Sequence, residues 1–210
     1  MKKTAAVLVV ALALAACGGD DSSSSDDTTT TTTASVDVDA MLLVPEDLNS
    51  DDALDAQWAV GDVSQGVDIV LPDCIDEELL APAPTDGTAK LIRQTEFKLP
   101  SVEQHIGAWA GDGAKAAYDA AVGRLDACDP KFTYQGAPSA GTIARLDLPA
   151  VGDESVAWRT TVTIAGTPVS ITSIHVLVGD VEMSIVHTDL NTPDPTELAQ
   201  IVTTATDKLS

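Results

Sequence analysis

Aromatic residues are scarce in this chain: three Trp, two Tyr and two Phe among 210 residues. Glycosidases stack sugars on aromatic walls between facing carboxylates. The adjacent acids Asp51-Asp52, Glu77-Glu78 and Asp153-Glu154 therefore read as chance neighbours in an acid-rich chain rather than as a catalytic pair. Basic residues are few as well, 11 Lys and Arg against 33 Asp and Glu, for a formal charge of −22. That field repels phosphate backbones and anionic head groups, which excludes nucleic acid as a partner class. There are three histidines, and no CxxC or HxxxH spacing, so no zinc site is spelled out. No lysine follows Gly107–Gly113 as a phosphate loop would require. The acids of Asp20–Asp27 lack the spacing and glycine of a calcium loop. Nothing in the sequence asks for a cofactor. The longest apolar run, Ala5 to Ala16, is too short to remain in a bilayer as a spanning helix.

That run has a meaning of its own. The chain starts MKKTAAVLVVALALAAC, two lysines, an apolar stretch and small residues before Cys17. This is the layout of an export signal. Leu14-Ala15-Ala16-Cys17 resembles the lipobox of bacterial lipoproteins. The resemblance implies cleavage after residue 16, a diacylglycerol on the Cys17 sulfur, and a mature chain held at the extracytoplasmic face of the cell membrane. The mature chain carries 9 basic and 33 acidic residues, a charge of −24.

Residues 17–40 are then a tether. The stretch GGDDSSSSDDTTTTTTASVDVDA holds six aspartates, no base and no large apolar residue beyond two valines. It cannot bury enough surface to offset its ordering entropy. A flexible chain of this length reaches roughly 25–30 Å. Residues 41–210 are long enough for one domain with its own core. Two cysteines remain there, Cys74 and Cys128. Outside the cytoplasm such a pair is expected to bridge, closing a loop of about 55 residues and contributing roughly 4 kcal/mol.

The pattern predicts an α+β fold: an antiparallel meander of about five strands, helices on one face, and one disulfide. Pro45 opens a short helix, and Pro72–Thr88 reads as loop. Leu91–Leu99 alternates as a strand. Ser101 with Gln104 three residues on reads as a capping box, which predicts a helix over 101–110, a break at Gly111-Asp112-Gly113, and a longer helix over 112–127. Thr142–Leu148, Val156–Ile164, Pro168–Val178 and Val181–His187 read as successive strands. Gly179-Asp180 is a two-residue hairpin turn. It sets Val178 against Val181, Val176 against Met183, Ile174 against Ile185 and Thr172 against His187. Placing Trp158 on the Ile174 face then requires a three-residue loop, Ala165-Gly166-Thr167. Pro195 opens a final helix with Leu198, Ile201, Val202, Ala205 and Leu209 on one stripe.

This layout resembles the extracytoplasmic sensor-type domain of actinobacterial lipoproteins and of mycobacterial receptor kinases of the PknH type. The resemblance rests on Met41-Leu42-Leu43, on Val122 to Cys128 at the end of a helix, on a Gly152-Asp153-Glu154-Ser155 turn ahead of the Trp158 strand, on the Val176–Val181 hairpin and on the C-terminal helix. It implies a non-catalytic sensor module with a ligand cleft. Kinase-linked members carry two disulfides, and this chain offers one.

Two candidate chemistries remain. Ala137-Pro138-Ser139-Ala140-Gly141 falls one residue short of a nucleophile elbow, and a strand rather than a helix is expected after Ser139. His175 and His187 are predicted on opposite faces of the hairpin, His187 at the end of the core and His175 in solvent, so they share no metal with each other or with His105. The leading function is a membrane-tethered, non-catalytic module that binds a small apolar ligand or an envelope protein in a helix–sheet cleft. The alternative is an envelope ester or glycan hydrolase using Ser139 or a carboxylate pair. A third is an assembly factor with an exposed apolar patch.

Overall fold

A computed structural model of the chain describes residues 36–49, 57–61, 69–70, 83, 85–93, 99–128, 132–134, 137–139, 141–164 and 166–210. Its frame is a seven-stranded antiparallel sheet. In chain order the strands and helices are α1 (Val38–Met41), α2 (Pro45–Leu48), β1 (Trp58–Val60), β2 (Ile69–Val70), β3 (Thr85–Arg93), β4 (Ser101–Ala108), α3 (Gly113–Asp126), β5 (Phe132–Tyr134), β6 (Ala137–Ser139), β7 (Gly141–Leu146), β8 (Glu154–Ile164), β9 (Thr167–Val178), β10 (Val181–Asp189) and α4 (Pro195–Asp207). The large sheet runs β1-β3-β4-β10-β9-β8-β7, and β2-β5-β6 form a second, three-stranded sheet. The fold is thus α+β as the pattern predicts, with seven main strands in place of about five. α1 puts Val38 in the core, ahead of the expected domain start at Met41.

The β9–β10 hairpin has the predicted register, with Val178 opposite Val181 and Thr172 opposite His187. Gly179 supplies the positive φ that a two-residue turn needs. The preceding turn differs from expectation. Ile164 pairs with Thr167, leaving two residues in the turn rather than three. Gly166 takes a φ of +87°, which suits a tight turn matched to strand twist. A change of one residue sends every side chain of β8 to the other face. Ala157 now pairs with Ile174, and Trp158 with Ser173.

The consequence is a sheet covered on both sides, not one. On the first face, Val102, Ile106, Ile174, Val176, Met183 and Ile185 pack with Leu198, Ile201, Val202 and Ala205 of α4. Burying Leu198, Ile201 and Val202 contributes about 1.5–3 kcal/mol each before entropy. On the second face, Leu177 lies against Ala114 and Tyr118 of α3, and Trp158, Val162 and Ile171 against Leu125. Ala114 and Ala121 are fully buried and let α3 approach the strands closely.

The expected helix over 101–110 is strand β4. Val102 and Ile106 are four apart, a step that keeps one face in a strand as well as in a helix. Gln104 and Ala108 complete the even set, and all four are buried. β-Branched Val102 and Ile106 favour the extended form. β3 starts at Thr85, inside the expected loop, and its described part ends at Arg93. The remainder of the expected Leu91–Leu99 strand up to residue 98 lies outside the described residues. The expected helices after the glycine break and at the C-terminus are α3 and α4.

Candidate functional site

A cleft of about 360 Å³ opens beside α4 on the first face. Ala157 of β8, Ile174 of β9 and Leu146 of β7 form its floor, Val202 of α4 one wall, and the 147–151 loop with Leu148 and Val151 the other. Strand alternation explains the floor: Ala157 is short, so a depression remains where β8 would otherwise meet α4. The loop is held from two sides. Ser155 Oγ accepts from the Val151 N–H at 3.1 Å, and the Asp153 N–H donates to the Leu177 carbonyl at 2.8 Å. Arg145 borders the cleft through its strand, while its side chain lies on the second face with Trp158. Its Nε and Nη2 donate to the two carboxylate oxygens of Asp126 at 3.0 and 2.6 Å, and its guanidinium lies 5.3 Å over the Trp158 ring. The Asp126 carboxyl is held below its ordinary range, first by this hydrogen bond.

One row along the same face, the apolar floor gives way to polar residues. Arg159 pairs with Thr172, and Thr172 with His187, so the three stand side by side on β8, β9 and β10. The next row holds Thr161, Ser170 and Asp189. Burial pushes the His187 imidazole down to about 4; Asp189 opposes this, while Arg93 and Arg159 reinforce it. Arg93 is paired with Glu197 at the start of α4. His187 is at the end of the core as expected, with neither ring nitrogen hydrogen-bonded to another of the described residues.

The second face has its own polar line. His175, expected in solvent, is 2 % exposed because α3 covers it. Its Nδ1 is 2.8 Å from Glu182 Oε1, and Trp158 meets its ring edge-on at 6.3 Å. Further along, His105 contacts Glu103 at 3.5 Å and Lys90 contacts Glu103 at 3.4 Å. Glu103 is held below its usual value, first by the hydrogen bond with His105, against burial, with Lys90 adding attraction. His175 and His187 do face opposite sides, and no group of three or more His, Cys, Asp or Glu among the described residues is placed to hold a metal.

Ser139 ends β6, and the chain enters β7 two residues later rather than a helix, so the strand-to-helix turn of a nucleophile elbow is not formed there. Asp153 and Glu154 serve structure: Asp153 Oδ2 accepts from the Gly179 N–H at 2.8 Å, and Glu154 pairs with Lys115 at 3.3 Å. Asp51-Asp52 and Glu77-Glu78 lie outside the described residues, as do Cys17 and Cys74. Cys128 follows α3 and is disulfide-bonded, but no bridge joins two described cysteines, so its partner is not identified by the described residues. The Arg159–Thr172–His187 row was not singled out in the sequence; the hairpin register already set Thr172 beside His187, and a two-residue turn at Ala165-Gly166 would have added Arg159.

No protein-family model matches the chain, and no curated protein matches it. Among solved structures it is similar to the extracellular domain of PknH from Mycobacterium tuberculosis, with a TM-score of 0.53, 12 % identity, and coverage of 81 % of this chain and 93 % of that one. At that identity the likeness is one of fold: the chain shares the α+β architecture of that extracellular domain.

Proposed function

We infer that the chain is an extracytoplasmic lipoprotein whose domain binds a small, largely apolar ligand without chemistry, as a sensor-type module of the cell envelope. The observation that carries this reading is the open cleft beside α4, in a fold shared with a receptor-kinase extracellular domain. Its volume is at the low end of small-molecule sites. The lipobox-like Leu14–Cys17 and the acidic tether support anchorage through Cys17. With Cys17 acylated, the bonded Cys128 has Cys74 as its remaining partner. An envelope protein seated on the cleft mouth is the other occupant this reading admits.

The test is titration of the exported protein with N-phenyl-1-naphthylamine, an uncharged fluorescent apolar probe. Saturable enhancement is expected, lost in Val151→Trp, which fills the cleft from its loop side. No enhancement, or enhancement that Val151→Trp leaves intact, refutes the cleft. Anchorage is checked separately by fatty-acid labelling in cells, which a Cys17→Ser chain should lose.

A further inference from the structure

Eight buried side-chain nitrogen and oxygen atoms lack a hydrogen-bond partner among the described residues, and seven of them belong to Arg93, Arg159, Ser170, Thr172 and His187. Buried polar groups are almost always partnered. Seven orphans at one end of one face are a concentration, not a scatter. His187 and Thr172 are 1 % and 0 % exposed, and Ser170 is buried beside them.

The two orphan nitrogens of Arg159, Nε and Nη2, form one edge of the guanidinium. That edge grips an oxyanion with two parallel bonds. The same two nitrogens of Arg145 do this to Asp126 on the opposite face of the sheet. Arg159 presents the same fork with no acceptor among the described residues. Beside it stand the hydroxyls of Thr172 and Ser170, which can turn to donate, and the imidazole of His187. The charged groups around the row are few: Arg93, engaged by Glu197, and Asp189 in the next row. Neither takes the Arg159 edge. A water accepts at most two hydrogen bonds, whereas an oxyanion accepts from the fork and both hydroxyls at once.

Arg159 and Thr172 lie two residues beyond Ala157 and Ile174 on the same strands and the same face, about 7 Å from the cleft floor. We propose that the Arg159–Thr172–His187 row, with Ser170, holds the acid group of an amphipathic ligand, a carboxylate or phosphate whose apolar body lies in the cleft beside α4. This rests on the cleft being the binding site and adds the chemistry of the ligand's polar end.

The experiment sets octanoate against 1-octanol as competitors of the naphthylamine probe on the full chain at neutral pH. Octanoate should displace it at roughly ten-fold lower concentration or better, the size expected for hydrogen bonds to a charged group. Arg159→Met should bring octanoate to the level of octanol and leave octanol unchanged, and Thr172→Val should cut the preference in part if Arg159→Met fails to fold. Octyl phosphate beside octanoate then tells a phosphate head from a carboxylate one. Equal displacement by octanoate and octanol, or a preference that survives Arg159→Met, overturns the acid site while the cleft stands. Inorganic phosphate alone gives a readout free of the cleft: it should shift the His187 ring resonances of the wild-type chain and not those of Arg159→Met. If no apolar probe binds, the cleft reading fails, and the phosphate shift decides the acid site by itself; its absence in the wild-type chain overturns that too.

Discussion

His175 Nδ1 and Glu182 Oε1 lie 2.8 Å apart between β9, β10 and the underside of α3, each almost wholly out of solvent. The pair spans the hairpin diagonally, since His175 is opposite Ser184 and Glu182 opposite Leu177. α3 seats Ala114 and Tyr118 against that same Leu177. Removing one member leaves the other buried without its partner. His175→Ala should cost about 3–5 kcal/mol by denaturant unfolding, the range for breaking a buried pair. Replacing both residues by apolar side chains of similar volume should cost less than either single change. A His175→Ala variant of unaltered stability would show the pair to be dispensable.

His187 predicts a pH dependence. Its imidazole is pushed down to about 4 from 6.5. In the unfolded chain it protonates near 6.5, so from there down to about 4 the unfolded state binds more protons than the folded one. Stability is therefore full above about 6.5 and falls as pH drops to about 4, by about 3 kcal/mol in all. His187→Gln should flatten this window. The carboxylates held low, such as Glu103, lose their contribution at more acidic pH, in the carboxylate range. Unfolding curves between pH 4 and 7 that are parallel for the two proteins would refute the assignment.

Gly152 adopts a φ of +63°, and a Cβ there would come within 2.6 Å of the Leu177 carbonyl oxygen and 2.8 Å of Val176 Cγ1. Backbone cannot yield as a flexible side chain does. Gly152→Ala should destabilise by about 2–3 kcal/mol from the left-handed conformation and the clash together. Since Val151 is next in the chain and lines the cleft, the substitution should also weaken naphthylamine binding. Gly123→Ala, in α3 with open space around its Cβ position, is the control and should stabilise slightly.

Legibility in the sequence followed how local the information was. The Gly179-Asp180 turn fixes its own hairpin, and the register of β9 with β10 follows from two residues. α4 could be read because Pro195 marks its start and its apolar stripe has helical spacing throughout. The turn at Ala165-Gly166 was lost by one residue, because Trp158 was matched to an apolar face when both faces of the sheet are buried. That single slip sent Arg159 to the wrong side; His175 faces the side that the hairpin register predicts and is buried because α3 covers that side. Covering of the second face by α3 is a tertiary fact with no local mark, since α3 shows little contrast between its sides beyond small alanines. The cleft depends on Ala157 being short opposite α4, which no pattern within one strand reveals.

Gln104 shows how one residue type can serve two readings. As part of Ser101-Val102-Glu103-Gln104 it fits the end of a capping box, yet in β4 its side chain is fully buried. Gln104 Oε1 accepts from the Leu43 N–H at 2.7 Å, and Nε2 donates to Met183 Sδ at 3.1 Å. The amide thus ties the segment between α1 and α2 to the centre of the sheet, 61 residues away in sequence. Gln104→Leu preserves bulk but strands the Leu43 N–H, at a cost of about 1–3 kcal/mol. Gln104→Glu also brings an acceptor to Leu43, but gives Met183 no donor and buries a charge, so it should be worse than Leu unless the carboxyl is protonated. The helical reading makes the opposite forecast: in an exposed capping box Gln104→Glu would be neutral or stabilising. Urea unfolding of the two variants at neutral pH, with hydrogen exchange at Leu43 to localise the effect, separates the two.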